Sequence, residues 1–106
     1  MMLEKVIWSK LAELQLDEIY KFYLHETKIK TASKLIRGII KSPNKLLKSP
    51  YIGQTENSLA HRKTKYRYLV HKNHKIIYSV DEKNKLIKIA DVFDIRQNPI
   101  KIERVK

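Results

Sequence analysis

Lys65-Tyr-Arg-Tyr-Leu-Val-His-Lys-Asn-His-Lys-Ile-Ile-Tyr-Ser-Val-Asp81, followed after a polar break by Leu86-Ile-Lys-Ile-Ala-Asp-Val-Phe-Asp94, is the stretch that decides the fold. Tyrosine, isoleucine and valine dominate it, and these residues fit a pleated, half-buried surface. Lys72-Asn73 and the run from Asp81 to Lys85 interrupt it, and Asn and Asp tolerate turn geometry. The pattern predicts three consecutive antiparallel strands joined by tight turns. Strict alternation puts Ile76, Tyr78 and Val80 on one face of the middle strand and Lys75, Ile77 and Ser79 on the other. In the last strand it groups Ile87, Ile89, Asp91 and Phe93 against Leu86, Lys88, Ala90 and Val92. Arg67, His71, His74, Lys75 and Arg96 then lie at the margins of a sheet expected to display cations.

Working back toward the N-terminus, Glu4 to Trp8 reads as a first strand with Val6 and Trp8 facing one way. Ser9 is placed to cap a helix running to about Glu26, whose stripe is Ala12, Leu16, Ile19, Tyr20 and Tyr23. A polar elbow from Thr27 to Thr31 leads to a second helix with Ala32, Leu35, Ile36, Ile39 and Ile40 inward and Lys34, Arg37 and Lys41 solvated. Pro43 ends it, with Ser42 as the cap of a short turn burying Leu46 and Leu47. So short a connection makes the helices an antiparallel hairpin, and their apolar stripes need a sheet to cover. Tyr51 to Thr64 is the longest irregular piece, and Ile100 to Lys106 reads as a basic tail. The fold class is therefore α+β: an N-terminal strand, then a helical hairpin packed on a small, mainly antiparallel sheet, all in one domain spanning 1–106.

The composition narrows the partners. The chain has 106 residues and a net charge of +12, which favours an anionic partner. The charge is unevenly spread. Residues 1–26 carry five acids against three lysines, whereas Lys28 to Lys75 holds thirteen lysines and arginines against a single acid, Glu56. No run reaches the roughly 18 apolar residues of a membrane span, so no membrane partner is expected. No cysteine is present, which excludes disulfides and thiolate metal sites and fits a reducing compartment.

Candidate chemistry is cationic. With only Gly38 and Gly53 the chain builds no phosphate-binding glycine loop, and His25, His61, His71 and His74 lack zinc-site spacing. No metal or cofactor is expected. The remaining constellation is Arg62, Lys63, Lys65, Arg67, Lys75 and Arg96, with Tyr66 and Tyr78 nearby. Arginine forks fit phosphates, and tyrosines stack bases or donate hydrogen bonds. Each has a structural alternative: the tyrosines pack, Lys75 is a solvated strand residue, or Arg96 anchors the end of the sheet on Asp94 or Asp91. His71 and His74 flank a turn, where exposed edge histidines are the plainer reading.

Leu16-Asp-Glu-Ile-Tyr20, Tyr66-Arg-Tyr-Leu-Val70, Lys75-Ile-Ile-Tyr-Ser-Val-Asp81 and Arg96-Gln-Asn-Pro99 occur in an order that resembles the RelE/ParE family of bacterial toxins, from Val6 to Pro99. The resemblance implies the toxin half of a type II toxin–antitoxin module, silenced by an antitoxin with an acidic or amphipathic segment. RelE-like members cut ribosome-bound messenger RNA, and ParE-like members inhibit DNA gyrase. Carried over by position, Arg67, Lys75 and Arg96 match basic residues of the RelE-like catalytic site. Arg62, Lys63, Lys65, His71, His74 and Tyr78 are the accompanying candidates for binding nucleic acid or target. Two departures separate the chain from the nucleases. Leu69 stands where a second lysine is expected, and Ile100 to Lys106 holds no tyrosine or histidine to act as acid or base. The Asp-Glu-Ile-Tyr helix and the Arg-x-Asn-Pro exit resemble the ParE-like branch, so gyrase inhibition is the expectation. A metal-independent ribonuclease is the alternative, and a basic nucleic-acid-binding domain without toxin activity is the third.

Overall fold

The computed structural model describes residues 2–96 and 103–105. Strand β1 (Lys5–Trp8) leads into helix α1 (Lys10–Glu26) and helix α2 (Ile29–Lys41). A 3₁₀ turn (Ser42–Leu47), a two-residue strand β2 (Gln54–Thr55) and a second 3₁₀ turn (Asn57–Leu59) follow. Strands β3 (Tyr66–His71), β4 (His74–Asp81) and β5 (Leu86–Asp94) complete it. The sheet order is β1-β5-β4-β3-β2, with β1 parallel to β5 and the other pairs antiparallel. This is the expected α+β architecture, two helices on a mostly antiparallel sheet.

Local chemistry explains the boundaries. Ser9 Oγ accepts a hydrogen bond from the Ala12 amide at 3.0 Å and donates to the Ala90 carbonyl at 2.9 Å, so one hydroxyl both starts α1 and ties it to β5. Thr27 ends α1 by turning its hydroxyl back onto the Tyr23 carbonyl, and the elbow is shorter than its sequence suggested, since α2 begins at Ile29. Pro43 cannot donate to an α-helical carbonyl, and the chain tightens there into the 3₁₀ turn. Ser42 closes α2 instead of capping that turn with its side chain.

The main core lies between helices and sheet and contains Ala12, Leu35, Ile39, Leu46, Ile76, Tyr78, Ile87, Ile89 and Val92. Ile40, expected to face inward, is 45% exposed, because the helical stripe through Ala32, Leu35 and Ile39 leaves it on the flank. The opposite sheet face also differs from expectation. Instead of an open cationic surface it carries a second apolar cluster of Leu59, Tyr66, Ile77, Phe93 and Val105.

Unbroken alternation fails in β5. Tyr78 pairs with Ile89 while Ile77 pairs with Asp91, so Ala90 is an extra residue on that strand. Such a bulge reverses the side on which later side chains emerge. Ile87, Ile89 and Val92 therefore face the helices, and Phe93 faces the second cluster. Asp91, fully buried, is bound there by Arg104 Nε at 2.8 Å and Nη2 at 3.0 Å. That pair, with buried Val105, docks part of the predicted basic tail against the sheet; residues 97–102 and 106 lie outside the described residues.

Candidate functional site

The three cations expected to form a catalytic group leave the sheet in different directions. Arg67 stands opposite Tyr78 in the β3–β4 ladder, on the helix side. Its Nη1 donates to the carbonyls of Gly53 at 2.9 Å and Tyr51 at 3.2 Å, and its guanidinium lies 5.2 Å from the Tyr51 ring centroid. The Tyr51 hydroxyl in turn bonds Glu82. Tyr78, predicted to reach a target, is completely buried. Its hydroxyl donates to the Pro50 carbonyl at 2.8 Å and accepts from the Gly53 amide at 3.0 Å, and burial pushes its pKa up. A Cβ on Gly53 would meet Tyr78 Oη at 2.5 Å, so only glycine lets the loop close over the ring. Arg67 and Tyr78 together fasten the 50–53 loop.

Lys75 emerges on the other face, opposite Val70. Its ammonium lies 2.7 Å from Glu56 Oε1 and 4.0 Å from the Tyr68 ring centroid. Glu56 Oε2 accepts from Ser58 Oγ at 2.7 Å and from the Ser58 amide. Burial pushes the Glu56 pKa up, but the bonds from Lys75 and Ser58 outweigh it and hold the carboxyl below its ordinary value. The lone acid in the cationic run is thus an internal counter-ion. That isolation in the sequence was the signal for its role.

Arg96 sits beyond β5 and grips Asp94 through Nε at 2.9 Å and through Nη2. Hydrogen bonds from Arg96 hold Asp94 down to about 2. The alternative in which Arg96 anchors the sheet end on Asp94 therefore describes its geometry.

His74, read as an edge group, is 1% exposed beneath Tyr23, its Nδ1 has no hydrogen-bond partner, and burial lowers its pKa. His71 is half-buried. Its ring lies so close to Gly38 of α2 that a Cβ there would come within 2.4 Å of Nε2. Burial, then the charges of Lys72 and Lys45, lower its pKa. Arg62 donates to the Glu103 carbonyl at 2.7 Å, helping to hold the C-terminal segment. Lys63 and Lys65 are exposed and make no ion pair among the described residues. Beside them a groove of about 1330 Å³ runs past β1 and α1, lined by Ile7, Leu11, Leu14, Lys65, Lys88 and Arg104 among others. Among the described residues no group of three acids or histidines is arranged to hold a metal, and no helix is long and apolar enough to cross a membrane.

The model of the ParE toxin of the type II toxin–antitoxin system parDE matches residues 6–99. The chain belongs to this family. Its function is that of a toxin in a type II toxin–antitoxin module, and its partner is a cognate antitoxin. The fold is similar to that of the chromosomal ParDE system of P. aeruginosa, at a TM-score of 0.70 and 20% identity over 88% of this chain and 96% of that one. A mutant of E. coli toxin RelE in the free state is similar at a TM-score of 0.64 and 12% identity, with 100% of both chains covered. The RelBE2 toxin–antitoxin complex of Mycobacterium tuberculosis is similar at 0.53 and 14%, over 89% of this chain and 93% of that one. No curated protein matches by sequence.

Proposed function

We propose that this ParE-family toxin arrests growth by binding DNA gyrase and does not cut RNA. One observation carries the reading: Arg67 and Lys75 leave opposite faces of the sheet, Arg96 lies beyond the end of β5, and each is held by acceptors of its own chain. Metal-independent RNA cleavage needs cations converging on one phosphate, with an acid and a base within reach. Using these three would first require breaking their contacts with Gly53, Glu56 and Asp94. The toxin then works by occupancy, and its site of action is the cytoplasm.

The groove beside β1 suits the antitoxin in this reading. Ile7 and Leu14 are 40% and 55% exposed, and Lys10, Lys65 and Lys83 surround them. An acidic amphipathic segment would bury the apolar side chains and neutralise the lysines.

Supercoiling of relaxed plasmid by purified gyrase tests the proposal. Added toxin is expected to inhibit it, and antitoxin to restore it. Unimpaired supercoiling at excess toxin, with new codon-positioned cuts in translated messages by primer extension, would establish the ribosome-dependent nuclease instead.

A further inference from the structure

Among the described residues, a row of cations outside any ion pair lies on the outer side of α2, away from the sheet and the groove. Lys30, Lys34, Arg37 and Lys41 recur at i, i+4, i+7 and i+11, which places them within roughly 60° of one another around the helix. Ala32, Leu35 and Ile39, the buried residues of α2, occupy its opposite side. All four cations are exposed, and none makes an ion pair among the described residues. No Asp or Glu occurs between Glu26 and Glu56 to supply one locally. The patch continues past the helix, because Lys45 and Lys72 both act on His71, which rests against Gly38.

Self-repulsion along such a row costs stability, since like charges at i, i+4 disfavour a helix. A bound polyanion removes that cost. The spacing favours a phosphate backbone over an acidic protein segment. From Lys30 to Lys41 the row is about 16 Å long, with successive cations about 4.5–6 Å apart along the axis. Phosphates on one strand of a duplex follow at about 3.4 Å along its axis, so the row spans about five of them. Arg37, near its middle, offers a planar fork that fits a phosphate at two points. Ile29 and Ile40 are exposed at the flank of the row, but between the four cations no apolar side chain offers an acidic protein segment an anchor.

We propose that the outer face of α2 binds the sugar-phosphate backbone of duplex DNA through Lys30, Lys34, Arg37 and Lys41, without reading base sequence. The proposal stands on the placement of charge and is independent of which enzyme the toxin inhibits.

Fluorescence anisotropy of a short labelled duplex, titrated with the full-length toxin across a salt series, tests it. Four neutralised phosphates correspond to a salt slope of about −3.6, or a loss of roughly a hundredfold in affinity between 50 and 200 mM salt. A variant with Lys30, Lys34, Arg37 and Lys41 all replaced by Gln is expected to lose that part of the slope while melting no lower than wild type, since the repulsion along the row is removed. A control with Lys5, Lys10, Lys63 and Lys83 replaced by Gln removes the same charge elsewhere and is expected to bind nearly as wild type. Three results would each overturn the proposal: no duplex binding at 50 mM salt, equal weakening in both variants, or tighter stripe-dependent binding of polyglutamate or single-stranded RNA than of the duplex.

Discussion

The two faces of the sheet solve the same problem with different chemistry. The face under the helices is closed by apolar contact among residues such as Ile39, Ile76, Ile87 and Ile89, and its one strand cation, Arg67, is held by neutral carbonyls. The other face has a smaller apolar cluster, and ion pairs fasten the segments lying over it: Lys75 with Glu56, and Arg104 with Asp91. Helices bring enough apolar surface to hold themselves down, whereas a short turn and a C-terminal segment do not. Charge supplements the missing area, at the cost of making that face sensitive to acid.

The largest expected effect lies under the helices. Ile89→Ala should cost about 2–5 kcal/mol by urea denaturation, the range for emptying a rigid core site. Arg104→Ala tests the other face and should cost about 2–3 kcal/mol, below the full penalty for a broken buried pair because Arg104 is partly exposed. Equal losses in both would mean that the second face is as rigidly packed as the first. Arg67→Ala should cost about 1.5–3 kcal/mol in the same assay, the range for bonds to a charged group, and should raise protease cleavage within 50–53.

Acid should separate the faces further. Glu56 has a depressed pKa in the folded state, so its contribution is present above its ordinary value near 4.5 and is lost as pH falls toward the folded value. Glu56→Gln should therefore be less stable than wild type at neutral pH, and the gap should close as pH falls from 4.5 through the folded value. Burial also lowers the pKa of His74, which means the unfolded chain takes up its proton first. Stability should fall as pH drops through 6.5, and His74→Gln should remove its share of that fall in denaturation measured at each pH, leaving the share that His71 supplies. The smallest effect belongs to Ile40→Ser, within about 0.5 kcal/mol of wild type, because that side chain is largely exposed.

These positions mark how far the sequence could be read. Helical spacing and strand alternation located both helices and β1, β3, β4 and β5, because a buried stripe leaves a period in the chain. The bulge at Ala90 leaves no such trace, since one extra residue shifts the alternation without changing composition, and unbroken alternation puts Asp91 on the wrong side. The cations Arg67, Lys75 and Arg96 were legible as residues but not as partners. Arg67 binds backbone carbonyls, which carry no sequence signature, and Lys75 finds Glu56 across a loop whose path local pattern does not determine. Strand β2, two residues long, is too short to show a period. His74 shows the same limit: a turn position suggested exposure, but Tyr23 of α1 covers it.

Cations suited to gripping a phosphate serve here to hold the chain together, and exchanging the charges of one pair tests this most directly. Lys75→Glu and Glu56→Lys, made singly and together, should be compared by denaturant melts and by growth arrest in cells lacking the antitoxin. Each single change should lower stability and weaken arrest, and the double exchange should recover most of both, because the attraction across the loop is restored. A double variant that melts like wild type yet no longer arrests growth would contradict the account, and would return Lys75 to a direct role at the target.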